Sequence, residues 1–221
     1  MNRFFISDCH FNHANIIKYC GRTQFMTKED LDKYNKFIGE HKECPKSFKI
    51  SKNSLDRMNE ALIKNWNSRV KPDDTVFHVG DFCFKNSKGG KVGEGLPIKS
   101  IEIEKKLNGK IIHIKGNHDK NNSTKTIIHN IKISHANKII NMVHNPEHCD
   151  YDVDINFTGH IHERWKIKRF YKGHKFTDCI NVGVDVWGFK PVTFDELMSR
   201  YIKWKRLEDK KIKEKNKALT D

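Results

Sequence analysis

Short apolar runs punctuate an otherwise polar chain. Phe4 to Ile6, Thr75 to Val79, Ile111 to Ile114, Ile139 to Val143 and Ile155 to Phe157 are rich in Val, Ile and Phe and have the length of buried strands. Between them, Leu55, Met58, Leu62 and Trp66 recur at helical spacing, as do Leu197, Tyr201 and Trp204, so each set predicts an amphipathic helix. Thr27-Lys28-Glu29-Asp30 and Thr193-Phe194-Asp195-Glu196 place a hydroxyl three residues before a carboxylate, and helices are expected to start there. Asn108-Gly109 predicts a turn ahead of the third run. Strands alternating with helices predict an α/β layered fold, and the chain is read as one domain over residues 1–221. Gly39 to Asn53 and Lys85 to Gly95 are expected loops; the second has four glycines but lacks the G-x-x-x-x-G-K-[ST] order of a phosphate loop. Residues 205–221 mix both charges with little apolar periodicity and are expected to be a fraying tail.

Composition narrows the function classes. Lys and Arg number 42 against 28 Asp and Glu, a net charge of +14 that favours anionic partners such as phosphate esters or nucleic acid without choosing among them. Most lysines lie scattered among acids, as on any solvated surface. The 14 Phe, 5 Tyr and 4 Trp are too many aromatics for a disordered chain. No apolar run approaches the roughly 18 residues of a membrane span, and Phe4-Phe5-Ile6 meets Asp8 too soon for a signal-peptide core. Six cysteines without a C-x-x-C pair suggest reduced thiols rather than a zinc ribbon or a disulfide scaffold. The expectation is a cytoplasmic protein (the host's cytoplasm if viral) with no membrane partner.

What lifts the chain above a generic α/β domain is where its polar residues fall. Each of the five runs is followed at once by metal-ligand residue types: Asp8 and His10, Asp81, Asn117, His144, and His160 with His162. Ligands of open α/β sheets gather at the carboxyl ends of the strands, so these ends can bring seven oxygen and nitrogen donors into one cleft. Gly80, Gly116 and Gly159 precede three of them, where a missing Cβ allows close backbone approach. Gly159-His160-Ile161-His162, taken as extended, would point both imidazoles the same way. His78 and His113 lie inside strands and are expected to be structural, and His148 competes with His144. His13, Asn15 and Arg22 could face a phosphate or serve as capping or surface residues, while Cys9 and Cys83 are expected to pack beside the ligands.

Asp8-Cys9-His10, Gly80-Asp81, Gly116-Asn117-His118-Asp119, His144-Asn145-Pro146 and Gly159-His160-Ile161-His162 resemble, in order, the signature of the calcineurin-like metallophosphoesterases. Phe11-Asn12-His13-Ala14-Asn15-Ile16-Ile17 and Ile180-Asn181-Val182-Gly183-Val184-Asp185 resemble a small single-domain branch of bacteria and their phages. The resemblance implies a two-sheet β-sandwich flanked by helices, with the metal site at the carboxyl ends of the strands. It implies two divalent transition ions, from among Mn, Fe, Ni, Co and Zn with Mn favoured. One would be held by Asp8, His10 and His162 and the other by Asn117, His144 and His160, with Asp81 bridging. The implied reaction is hydrolysis of phosphodiesters of nucleotides or nucleic acid by a metal-bridged hydroxide. His118 would be the general acid and Asp119 its orienting partner. Gly80-Asp81-Phe82-Cys83-Phe84 lacks the further acid and the Arg of the protein-phosphatase branch, which weakens a phosphoprotein substrate. A phosphomonoesterase, or a non-catalytic module binding nucleic acid or protein on the same fold, are the alternatives.

Overall fold

All five apolar runs fold as strands, and among the described residues four more strands join them. In chain order they are β1 (Arg3–Ile6), β2 (Thr75–Val79), β3 (Lys110–Ile114), β4 (Asn130–His135), β5 (Lys138–Val143), β6 (Ile155–Thr158), β7 (Ile167–Lys172), β8 (Lys175–Asn181) and β9 (Val192–Thr193). The computed structural model describes residues 1–42, 44–84, 100–119 and 126–217; the predicted loop from Lys85 to Gly95 lies outside the described residues. One sheet has the order β3-β2-β1-β9 and the other β4-β5-β6-β8-β7. In the first, β1, β2 and β3 are parallel; in the second, β5, β6 and β8 are parallel. The remaining strands attach antiparallel at the edges.

Four strands escape a search for apolar runs for a physical reason. A central parallel strand buried on both faces is apolar throughout, whereas an edge strand alternates with period 2. β4 alternates exposed and half-buried positions, with Ile131 and Ile133 inward, and turns into β5 through Ala136 and Asn137, both in the left-handed region. β7 and β8 form a hairpin around Gly173 and His174. β8 is central, yet it carries buried Thr177, Asp178 and Asn181, which disguise it.

The pleat sorts side chains between two cores. Phe5 is fully buried between the sheets, edge-on to Phe157 at 4.9 Å and stacked with Phe77 at 5.6 Å. Phe4 and Ile6 point the other way, into a core shared with the helices. Those helices are α1 (Ile16–Tyr19), α2 (Lys28–His41), α3 (Lys52–Asn67), α4 (Ser100–Glu104) and α5 (Phe194–Lys217). Helix α3 buries the predicted stripe of Leu55, Met58, Leu62 and Trp66, starting from a Ser51 cap. Thr27 caps α2, where its hydroxyl accepts from Asp30 N at 3.3 Å. At the start of α5, Thr193 Oγ1 accepts from Glu196 N at 3.3 Å and Thr193 N donates to Glu196 Oε2 at 2.8 Å. Helix α5 packs Leu197, Met198, Tyr201 and Trp204 against the inter-sheet core and runs unbroken through Lys217. The architecture is therefore α/β, two mixed sheets flanked by helices. Among the described residues no helix is long and apolar enough to cross a membrane.

Candidate metal centre

The two sets of parallel strands end at one place. Asp8 N donates to Gly80 O at 3.0 Å, tying the end of β1 to that of β2, and His160 N donates to both Asp8 carboxylate oxygens at 3.0 Å, tying β6 to β1 across the sheets. Gly159 N donates to His144 O at 2.9 Å, joining β6 to β5. Asp8, His10, Asp81, His160 and His162 all have left-handed backbones, with φ between 48° and 73°. Non-glycine residues adopt this region at a cost of about 1–3 kcal/mol each, and such strain collects at functional sites. The finding corrects the expectation for Gly159 to His162: β6 stops at Thr158, and the imidazoles converge through two left-handed residues rather than through an extended segment.

Two of the glycines act through close approach. A Cβ on Gly80, whose φ is +89°, would sit 2.3 Å from His144 Nδ1, and one on Gly116 would sit 2.1 Å from Asp81 Oδ1. The ligand-type side chains thus occupy space that a larger residue would fill.

At the centre lies Asp81. Its Oδ1 accepts from His118 N at 2.8 Å, while Oδ2 faces His144 Nε2 at 3.2 Å and His10 Nε2 at 3.5 Å. Asn117 Oδ1 lies 3.0 Å from His144 Nε2 and 2.8 Å from His160 Nδ1. Asp8, His10 and His162 form one group whose ligating atoms lie within 4.8 Å of one another; Asp8, Asp81 and His144 form a second. All seven predicted donors therefore meet, and the described residues hold two groups able to bind a metal ion. His10 Nε2 is buried there without a hydrogen-bond partner, 3.9 Å from Asp8 Oδ1, a placement that suits a cation.

The neighbours of these histidines set which nitrogen faces inward. His144 Nδ1 lies 2.8 Å from Val79 O, and a carbonyl can only accept, so Nδ1 carries the proton and Nε2 points at Asp81. His162 Nδ1 lies 2.9 Å from Asp185 Oδ2, and when this carboxylate is ionised it only accepts, so this nitrogen too carries a proton. Burial opposes charge on His144, but its bond to Asp81 and the fields of Asp8 and Asp81 raise its pKa to about 9. Burial likewise opposes charge on His162, but Asp185 and then Cys20 raise it to about 10. Burial lowers the pKa of His10 far below the usual histidine value, and that of His13 to about 3. The Asp8 carboxyl is raised by burial against the pull of His144 and His162.

Asp185 is the site residue that no ligand spacing revealed. Arg22 holds it with Nε to Oδ1 at 2.7 Å and Nη2 to Oδ2 at 2.9 Å, and also donates to Asp8 O at 2.8 Å and Cys9 O at 3.2 Å. Arg22 is buried, which removes both the phosphate-facing and the surface roles weighed for it. Its only advance signal was a lone arginine shortly after the first motif. Asp119, expected beside His118 as its orienting partner, spends Oδ2 on Asp81 N at 2.7 Å and Gly116 N at 2.9 Å, and Oδ1 on Phe82 N at 3.2 Å. It thereby holds the backbone around Asp81 and Gly116. His118 is exposed, its ring 5.2 Å from that of His10. His148 is exposed at the end of the Pro146–His148 turn, outside the group that includes His144. His78 and His113 sit inside their strands, each ring edge-on to Phe82.

The chain matches no protein-family model. A protein of unknown function from Aquifex aeolicus has a similar solved structure, at 22% identity, covering 90% of this chain and 98% of that one with a TM-score of 0.54. A Vps29 variant of Entamoeba histolytica is 17% identical over 81% of this chain and 73% of its own, with a TM-score of 0.35. In sequence, the chain is 32% identical over 196 residues to the uncharacterized protein MJ1445 of Methanocaldococcus jannaschii, covering 87% of this chain and 86% of that one. On that extent of identity, the chain belongs to the family of MJ1445.

Proposed function

We propose that the protein is a metal-dependent phosphoesterase of the calcineurin-like superfamily and of its small single-domain branch, acting on phosphodiesters of nucleotides or nucleic acid. The observation that carries this reading is His10 Nε2, buried and unpartnered 3.5 Å from Asp81 Oδ2, in a cleft walled by carboxylate, imidazole and amide donors. Such donors suit divalent transition ions, Mn first and then Fe, Ni, Co or Zn. One ion would be held by Asp8, His10 and His162, a second by Asn117, His144 and His160, and Asp81 would serve both. When bound, such ions supply positive charge to a phosphoryl oxygen and acidity to a water molecule.

The remaining roles belong to the chain. Val79 O and Asp185 commit Nδ1 of His144 and His162, which fixes both ring orientations and turns Nε2 of His144 toward Asp81. Asp119 fixes the amides of Gly116, Asp81 and Phe82, which keeps the β2 and β3 loops in register. His118, exposed with its ring 5.2 Å from that of His10, would protonate a leaving oxygen. A net charge of +14 favours an anionic substrate, and six free cysteines suit a reducing cytoplasm.

Reconstitution with each ion, followed by elemental analysis and a screen of nucleotide diesters, oligonucleotides and monoesters, tests the proposal. Close to two ions per chain and diester hydrolysis abolished by Asp81→Asn are expected. Hydrolysis of monoesters alone reassigns the substrate. Tight ion binding with no turnover on any ester replaces the enzyme by a binding module.

A further inference from the structure

His13 belongs to neither of the two candidate ligand groups, yet it is built into the same wall. Beyond the strands, the first two loops stay zipped: Phe11 N donates to Phe82 O at 2.9 Å, and Phe84 N donates to Phe11 O at 2.8 Å. This pairing lays the His13 ring on Phe84, centroids 4.1 Å apart and 27° from parallel. Two more rings flank it, His10 at 5.5 Å and His118 at 6.1 Å. His13 therefore stands on the flank of the cleft that also carries His118.

The ring is 7% exposed, and Nδ1 is sealed inside without a hydrogen-bond partner. Leaving that nitrogen orphaned opposes folding, and a phenyl ring would fill the same place without the penalty. Nε2 is the atom left to meet a ligand, and with Nδ1 walled off from any donor or acceptor the imidazole can serve as an Nε2–H donor.

We propose that His13 is a substrate-contacting residue whose Nε2 donates a hydrogen bond to a non-bridging phosphoryl oxygen beside the leaving group. The role rests on the phosphoesterase reading, in which a phosphate occupies the cleft between His118 and the metal-ligand side chains. It gives the two histidines of this flank different tasks, the buried His13 fixing the phosphate and the exposed His118 handling the proton.

Binding of inorganic phosphate to the metal-loaded protein, followed by calorimetry, separates this contact from simple packing. Metal content and thermal midpoint are measured alongside for each variant. His13→Ala and His13→Phe should both weaken phosphate about 10-fold or more while keeping the ions, because a hydrogen bond to a charged group is lost. His13→Gln, whose amide nitrogen reaches about as far as Nε2, should restore most of the affinity, and His13→Phe should restore stability instead. Affinity restored by Phe and not by Gln, or left at the wild-type value in all three, overturns the contact. Should the wild type hydrolyse no phosphoester while phosphate affinity still follows this order, the phosphoesterase reading fails and the contact stands. Hydrolysis without the order fails the contact alone, and a loaded wild type that binds no phosphate fails both.

Discussion

Arg22 grips Asp185 across 163 residues of sequence, Nε to Oδ1 at 2.7 Å and Nη2 to Oδ2 at 2.9 Å, with the guanidinium buried. The same carboxylate accepts from His162 Nδ1 at 2.9 Å, and the same guanidinium donates to Asp8 O at 2.8 Å. Two ligand-type residues at the ends of different sheets are thereby held by one ion pair. Arginine's planar fork suits this bidentate geometry and lysine's single ammonium does not.

Asp185→Asn should weaken metal binding at the group formed by Asp8, His10 and His162 by about 10–100-fold, as losses of a partner behind a histidine ligand commonly do. Arg22→Lys should do the same with less effect on the second group. Titration with Mn resolved into two sites checks both; unchanged affinity at both sites would show that Asp185 only braces the fold.

Gly116→Ala should destabilise the protein by about 1–3 kcal/mol and disturb metal binding. The added methyl would lie 2.1 Å from Asp81 Oδ1 and 2.4 Å from Asp81 N, so the central carboxylate has to move. Gly39→Ala, in helix α2 with nothing within 4 Å of the new methyl, should instead stabilise by up to about 1 kcal/mol. Urea unfolding of the two variants, with metal content, distinguishes a crowded site from a general intolerance of alanine.

The metal-free protein should lose stability in alkaline solution. His144 and His162 have pKa values of about 9 and about 10 against an ordinary 6.5, so the folded state holds their protons more tightly than the unfolded state does. Their stabilisation is complete below pH 6.5 and disappears as pH rises through 9 and 10. Ions compete with those protons, so metal affinity should rise over the same window and the loaded protein should lack the alkaline decline. Imidazole proton resonances of the metal-free protein give the direct check: two histidines should titrate above pH 8, and their titration at ordinary values would refute the assignment.

His118→Ala should keep both ions and lose about 10²–10⁴-fold on a nucleoside or alkyl diester, with a much smaller loss on a p-nitrophenyl ester. p-Nitrophenolate leaves without a proton, so only a poor leaving group exposes the missing acid. Equal losses on both esters would mean that His118 positions or stabilises charge, and loss of an ion would make it a ligand.

The sequence by itself determined five strands (β1, β2, β3, β5 and β6), the two threonine caps, the stripe of helix α3 and the places of seven donor-type residues at strand ends. Each of these is a local signal: an apolar run, a hydroxyl and a carboxylate three residues apart, a polar residue at the end of a run. A strand buried on both faces has to be apolar, and a chain leaving it has to turn, so Asp8, Asp81, Asn117 and His144 announce themselves. Tertiary structure decided the rest. Edge strands β4 and β7 are held by pairing partners rather than by their own composition, and β8 hides its central place behind buried Thr177 and Asp178. The left-handed turn that aims His160 and His162 depends on Asp8, whose carboxylate accepts His160 N from 152 residues away. Asp119 stands beside His118 in sequence, but only the fold brings it the backbone amides of Asp81 and Phe82. Arg22 and Asp185 have no periodicity or spacing in common; only the meeting of the two sheets makes them an ion pair, because hydrogen bonds depend on distance in space and not along the chain.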